Sequence, residues 1–317
     1  MLKYILKRLA IALPVLFMIS VGAFLLVHMA PGDPTDMFVT PDMDTDQIAM
    51  VRKNLGLDQP LPIQYIDWVK NMLSGNMGYS FSTREPVTEV LSQRLGPSLL
   101  LMAVSLLVAY GLAIPMGFMA ALHKNSFWDR FLIGWTFFNV SFPAFFLGLG
   151  LIYIFAVQLP LFPTGGMEEL GSDGGILDRA WHLVLPVIVM ASQYAANMIR
   201  YVRASVLDVL GQNYIRTALA KGLKQKQIIL HHVIRNSLIP IVTVIGTDIP
   251  KAIGGAVVTE QIFHWPGIGS LTIASIESRD YPVLMAIVIL SAISVLVANL
   301  LVDITYAVID PRIKYDK

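Results

Sequence analysis

Asp248 and Lys251 stand three residues apart in Ser237–Thr259, a run that otherwise holds no Asp, Glu, Lys or Arg. On a helix that spacing makes them neighbours. At membrane depth each such charge costs roughly 2.5–3.5 kcal/mol on insertion scales, so it needs a reason to be there. Two reasons stay open: a neutralising pair inside a helix bundle, or polar groups lining a path across it. Gly254 and Gly255 follow on the same run, and with Gly246 they would let the helix bend or approach its neighbours closely. All four residues, Asp248, Lys251, Gly254 and Gly255, are therefore candidates for such a path. Asp303, four residues after Asn299, is read as structural and within reach of an Arg or Lys at a span's end.

Most other chemistry is excluded by what the chain lacks. It has no cysteine, which removes disulfides, thiolate metal sites and cysteine nucleophiles together. Neither H-E-x-x-H nor G-x-S-x-G occurs, and no G-x-x-x-x-G-K-S/T cradles a phosphate. His231 and His232 are adjacent, so they do not share a helical face, and no carboxylate cluster joins them; no metal site is expected. His28, His123, His182 and His264 sit near the ends of apolar runs, where interfacial anchoring accounts for them.

The segment Tyr214–Lys224 carries a different kind of signal. Tyr214, Ile215, Ala218, Leu219, Gly222 and Leu223 recur at helical spacing and form an apolar stripe, with Arg216, Thr217, Lys221 and Lys224 elsewhere on the surface. A helix of about 11 residues is marginal alone in water. It must therefore rest on something: anionic lipid, a groove in a cytosolic partner, or the protein's own helices.

The elements that position these residues follow from composition. Of the 317 residues 55% are hydrophobic and only 14% charged, with a mean hydropathy of +0.64. An ordinary soluble domain has about 25% charged residues. Six apolar runs approach the roughly 20 residues needed to span a bilayer: Leu9–Val27, Leu99–Leu122, Phe131–Leu161, Leu183–Ile199, Ser237–Thr259 and Tyr281–Val302. The third exceeds one bilayer, so part of it is expected in the interface. The first is read as a retained helix, because its apolar stretch outruns a signal peptide and reaches Pro31-Gly32-Asp33-Pro34 without a small-residue cleavage site. Pro14, Pro115, Pro143, Pro186, Pro240 and Pro250 are expected to kink helices, which a bundle tolerates.

The net charge of +1 divides along the chain. One side of the expected topology comprises the N-terminus, 123–130, 200–235 and the residues after Ile309; it carries 15 Lys and Arg and a net charge of +11. The other comprises 30–96, 158–180 and 258–282; it carries 7 basic residues and a net charge of −9. The basic side is cytoplasmic by the positive-inside rule, and both termini lie there. The expected organisation is 1–96 as a first spanning helix with an external segment, 97–310 as a membrane core containing the cytoplasmic loop 200–235, and 311–317 as a cytoplasmic tail. Within the external segment, Asp44–Leu55 reads as a short helix stopped by Gly56, and Leu61–Leu73 as another. The Gly- and Pro-rich stretch 158–180 reads as a surface loop, and Pro266-Gly267-Ile268-Gly269 as a turn or re-entrant segment.

These segments resemble a known family in chain order. Tyr214-Ile215-Arg216-Thr217-Ala218, with Gly222 four residues after Ala218, is similar to the Glu-Ala-Ala-x-x-x-Gly loop of bacterial ATP-binding-cassette (ABC) importer permeases, although the Glu and first Ala are absent. Pro31-Gly32-Asp33-Pro34, Gly78-Tyr79-Ser80 with Pro86-Val87, and Arg200-Tyr201-Val202-Arg203-Ala204-Ser205 resemble one branch. So do Glu260-Gln261-Ile262-Phe263 with Pro266-Gly267-Ile268-Gly269, Arg279-Asp280-Tyr281-Pro282, Asn299–Asp303 and Asp310-Pro311-Arg312. The branch is the first permease subunit of dipeptide, oligopeptide and nickel importers.

The resemblance implies an all-α membrane protein of six transmembrane helices with the type I ABC importer permease fold, placed in the bacterial cytoplasmic membrane. It implies a non-catalytic subunit that forms half of a translocation pathway for dipeptides or oligopeptides, with nickel or another small chelate as the alternative cargo. Its implied partners are a second homologous permease, two cytosolic ATPases, an extracellular substrate-binding protein and the lipid bilayer. No nucleic acid is implied. This chain needs no cofactor, and ATP and Mg belong to the ATPases. Tyr214, Ile215, Arg216, Thr217, Ala218, Leu219, Lys221, Gly222 and Leu223 become the coupling helix, and Asp248 and Lys251 a possible lining for a zwitterionic peptide. A self-sufficient secondary transporter competes with this reading, but the chain shows no convincing internal repeat.

Overall fold

The computed structural model describes residues 2–29, 43–54, 56–169, 171 and 174–309, with side chains at all of these except 2–7, 9, 51, 54, 239, 250–255 and 305–309. The described residues are almost wholly helical, with one isolated antiparallel bridge between Tyr79 and Pro86. The motifs at 31–34 and 310–312, and the tail 311–317, lie outside the described residues. The chain divides into two compact units, Met1–Gly96 with Ser270–Leu296, and Pro97–Gly269 with Val297–Lys317.

The first unit holds α1 (Leu2–Met29), α2 (Thr45–Asn54) and α3 (Leu61–Leu73). Asp44 and Gln47 begin α2 with a reciprocal capping box: Gln47 N–H donates to Asp44 Oδ1 at 2.8 Å, and Asp44 N–H to Gln47 Oε1 at 3.1 Å. Pro60 precedes α3, and the chain's next proline, Pro62, occupies its first turn, where a missing N–H costs nothing. α3 leans on α1 through Tyr65 and Trp68, which pack on Phe24, and Tyr65 Oη lies 2.7 Å from Ser20 Oγ. The start of α12 (Tyr281–Ile309) supplies a buried Asp280 just before it. That carboxylate accepts from Ser80 Oγ at 2.5 Å and from the Phe81 and Ser82 N–H groups at 3.1 and 3.3 Å. The Gly78-Tyr79-Ser80 and Arg279-Asp280-Tyr281-Pro282 motifs are therefore two halves of one anion nest.

The second unit is built around α7 (Ile176–Leu210), packed by α5 (Phe127–Ser141), α6 (Ala144–Leu151) and α10 (Ile234–Ile262). In lipid, helix association rests on close packing rather than on escape from water, so small residues sit at the contacts. Ala109, Ala113 and Ala121 of α4 (Val87–Leu122) and Ala191 and Ala195 of α7 are all buried in this core. Gly117 of α4 faces α7 so closely that a Cβ there would stand 2.6 Å from Val202 Cβ and 3.0 Å from the Ile199 carbonyl.

Among the described residues, five helices are long and apolar enough to cross a membrane, and a sixth span appears if one bent pair is counted. That pair corrects the expectation for Phe131–Leu161. It is not one run but α5 and α6, bent by 101°. Pro143 dictates the break: its ring excludes a helical Phe142, which is extended at φ −87° and ψ 125°. Pro143 then starts α6, which continues as a π-helical turn over Ile152–Gln158. Pro14, Pro115 and Pro186 by contrast lie inside helices that continue past them. The Pro266–Gly269 motif is only half turn: Ile268 and Gly269 already begin a further helix, α11 (Ile268–Glu277).

Candidate functional site

α7 ends at Leu210, and only Gly211 and Gln212 separate it from α8 (Asn213–Ala220). The link is pinned by Gln212 N–H donating to the Val209 carbonyl at 3.1 Å. α8 is shorter than the expected Tyr214–Lys224, because its carbonyls are closed off early. Leu223 N–H donates to Ala218 O at 3.3 Å and Gly222 N–H to Leu219 O at 2.9 Å, the paired bonds of a Schellman end. Gly222 sits there at φ +79° with no atom within 4 Å of where a Cβ would be. Any side chain at 222 is thus resisted by backbone conformation, not by a clash within this chain.

The expected single stripe is split. Ile215 and Ala218 are buried in the core of the second unit beside Ile228 and Val233. Tyr214 and Leu219 stay exposed on the two flanks of that seam, and Leu223 is exposed beyond the helix end. Helical geometry places Arg216, Thr217 and Ala220 between the flanks, with Lys221 following; all four are exposed. The result is a helix anchored by two residues that presents a basic, polar ridge edged by apolar side chains. α9 (Gln225–Ile228) and a π-helical turn over Ile229–Val233 carry the chain back into α10, and His231 and His232 fall in that turn.

One contact fixing this region lies outside the residues singled out from sequence. Arg203 on α7 grips the buried Asp129 at the start of α5 with two bonds, Nε to Oδ1 at 2.6 Å and Nη2 to Oδ2 at 2.9 Å. Asp129 also accepts from Asn125 N–H at 2.9 Å, while Ser126 Oγ caps the Asp129 N–H at 3.3 Å. The 123–130 loop is thereby tied to α7 about two turns before that helix ends. The presence of Arg203 in a motif was the available signal; its partner, 74 residues away, was not.

At membrane depth Asp248 is buried, and Tyr110 Oη of α4 donates to its Oδ2 at 3.3 Å. This hydrogen bond ties α10 to α4. The side chains of Lys251, and the surroundings of Gly254 and Gly255, lie outside the described residues. At the far end of α10 the fully buried Glu260 accepts from Ser98 Oγ at 2.5 Å and from Gly269 N–H at 2.7 Å. A Cβ at Gly267 would run into this carboxylate, and one at Gly269 would stand 2.8 Å from it. The Glu260…Gly267-Ile268-Gly269 motif is a folding nest around one anion.

The described residues thus form a bundle of apolar helices with one broken span, a tyrosine-bonded acid at membrane depth and a short basic helix anchored to the core by two residues. The comparisons place it further. A family model described as the binding-protein-dependent transport system inner membrane component matches residues 113–315, and its N-terminal companion matches 1–103. The oligopeptide transport system permease protein of Bacillus subtilis is 42% identical over 99% of this chain and 100% of its own. The glutathione transport system permease protein of Escherichia coli K12 is 40% identical over the same shares. Among solved structures, the inward-facing methionine ABC transporter MetNI matches with TM-score 0.57 at 15% identity, covering 70% of this chain and 97% of that one, which speaks to fold alone.

The chain belongs to the binding-protein-dependent transport system inner membrane component family. It is a permease subunit of an ABC importer, a multi-pass inner-membrane protein without catalytic function of its own, and it works with ATPase and substrate-binding components.

Proposed function

We propose that this chain is one of two homologous subunits enclosing the import path for short peptides, with both termini in the cytoplasm. α8 is the element seated in a groove of one of two cytosolic ATPases, which bind and hydrolyse ATP with Mg. A binding protein delivers the peptide from outside. The split burial of α8 carries this reading. Ile215 and Ala218 hold it to its own core, and an exposed ridge of Arg216 and Lys221 edged by Tyr214 and Leu219 remains for a partner. Basic residues there fit an acidic rim, and the flanking side chains supply area for burial. The peptide cargo is supported by the oligopeptide and glutathione permeases that resemble this chain along its whole length.

The test is Arg216→Glu in the assembled importer, reconstituted with its binding protein and supplied with radiolabelled dipeptide or nickel. Like-charge juxtaposition at an interface costs several kcal/mol, so uptake should fall about tenfold or more while membrane insertion is unchanged. Normal uptake with intact ATPase association would end the coupling role, and nickel uptake without peptide uptake would end the cargo assignment.

A further inference from the structure

α5 is turned inside out. Its buried positions, Asp129, Leu132, Thr136 and Asn139, recur at helical spacing and are mostly polar. Asp129 meets Arg203 of α7, while Thr136 Oγ1 and Asn139 Nδ2 donate to carbonyls of their own helix at 2.8 and 3.1 Å. Its outward positions carry Phe127, Trp128, Phe131, Phe137 and Phe138, all exposed. A polar inside with an aromatic outside reverses the pattern of a helix at a water-facing surface, and it fits a surround of lipid. At the entry to α5 three of these rings cluster. Phe127 lies 5.7 Å from Trp128 and 6.1 Å from Phe131 between centroids, and Trp128 lies 6.3 Å from Phe131. They are 73%, 56% and 53% exposed for Phe127, Trp128 and Phe131, which is the level of exposure that aromatic residues keep at membrane–water interfaces.

Two exposed cations stand at the same turn, Lys124 and Arg130. Arg130 donates Nε–H and Nη2–H to the Asn125 carbonyl at 3.3 and 2.9 Å, which holds its guanidinium beside Lys124 and leaves Nη1 to bind elsewhere. Neither cation forms an ion pair among the described residues. The acid that Lys124 senses, Asp129, is already held through both oxygens by Arg203. The turn itself is set in advance: Asn125 is left-handed at φ +64°, and its N–H donates to Asp129. On the helix Arg130 lies about 60° to one side of Phe127 and Phe131 about 40° to the other, so the cation borders the rings. A small soluble anion would match the charges and leave the rings uncovered. A neutral lipid would cover the rings and leave the charges unmatched. A lipid with a net negative headgroup complements both. We propose that Lys124 and Arg130, with Phe127, Trp128 and Phe131, form a binding site for one anionic phospholipid, its phosphate at the two cations and its glycerol and upper acyl chains against the rings.

The experiment uses the assembled importer in phosphatidylcholine nanodiscs that contain a small fraction of phosphatidylglycerol carrying a photoreactive diazirine near its glycerol. After irradiation, cross-links are mapped by mass spectrometry. Labelling is expected at 127–131, competed by unlabelled phosphatidylglycerol and not by added phosphatidylcholine. It should fall about fivefold in Lys124→Gln and again in Arg130→Gln, the factor that one basic residue contributes beside an anionic surface. Arg130→Lys should keep most of the labelling. All these positions are exposed, so insertion and assembly are expected to be unchanged. Trp128→Ala should weaken labelling by the phosphatidylglycerol probe and by a phosphatidylcholine probe alike. Equal labelling by the two probes in the unaltered chain, or labelling undiminished when Lys124→Gln and Arg130→Gln are combined, overturns the proposal. Labelling of the separate full chain that vanishes in the assembled importer overturns it too, because a protein partner then covers this face.

Discussion

At the scale of single residues, three buried acids are stabilised by partners far away in sequence. Asp280 is held by the loop around Ser80, Glu260 by Ser98 and a glycine turn, and Asp129 by Arg203. Removing one member of a buried pair leaves an uncompensated charge and costs about 3–5 kcal/mol. Arg203→Met is thus expected to lower the stability of the purified protein by that order, and Asp129→Asn in the same chain to recover part of the loss, as a denaturation series on the four variants would reveal. Additive losses would mean the pair is not coupled. Arg203→Lys should fall between, because an ammonium cannot reproduce the two-pronged bond. Gly222 gives a sharper residue-scale test. A non-glycine residue in its left-handed conformation costs roughly 1–2 kcal/mol, and the space around it is open in this chain. Gly222→Ala and Gly222→Leu should therefore destabilise the isolated chain equally. In the assembled importer, ATP-driven uptake should be lower for Leu than for Ala if a partner covers α8; equal uptake would leave that position uncovered.

At the scale of elements, hydropathy and turn signals read along the chain were enough for most helices. Leu61–Leu73 has the bounds that its apolar pattern announces, and α2, Thr45–Asn54, falls inside the expected Asp44–Leu55. The failures have a common physical origin. Periodicity reports that a helix has an apolar side, but not how much of it a neighbour covers, so the stripe of 214–223 was read whole although only Ile215 and Ala218 are buried. A long apolar run likewise hides a bend, unless the restriction that Pro143 puts on Phe142 is weighed above hydropathy. The nests of Asp280 and Glu260 were visible as motifs, while their pairing across 200 and 162 residues was not. Helix contacts follow from small residues, and Gly117 is among the tightest. Gly117→Val would press two methyl groups into Val202 across the α4–α7 contact. Overpacking of this kind costs about 1–3 kcal/mol, and a lower midpoint in heating of the detergent-solubilised protein, followed by monodispersity, is the readout. An unchanged midpoint would mean the two helices separate at no cost.

At the scale of the whole molecule, the proposed topology divides the net charge of +1 into a basic side with 15 Lys and Arg and an acidic side with 7. Translocating Lys and Arg is resisted while acids count little, so this topology predicts that the basic side is cytoplasmic. The coupling role proposed for α8 stands or falls with that orientation, because only a cytoplasmic α8 can meet an ATPase. The absence of cysteine makes the measurement clean. Single cysteines at Lys226 and at Asn71, both exposed, are to be probed in intact cells with a membrane-impermeant maleimide. The Asn71→Cys protein is expected to label in intact cells, and the Lys226→Cys protein only after the membrane is opened. The reverse pattern would invert the molecule, place the basic ridge of α8 outside, and remove the ground for its pairing with an ATPase.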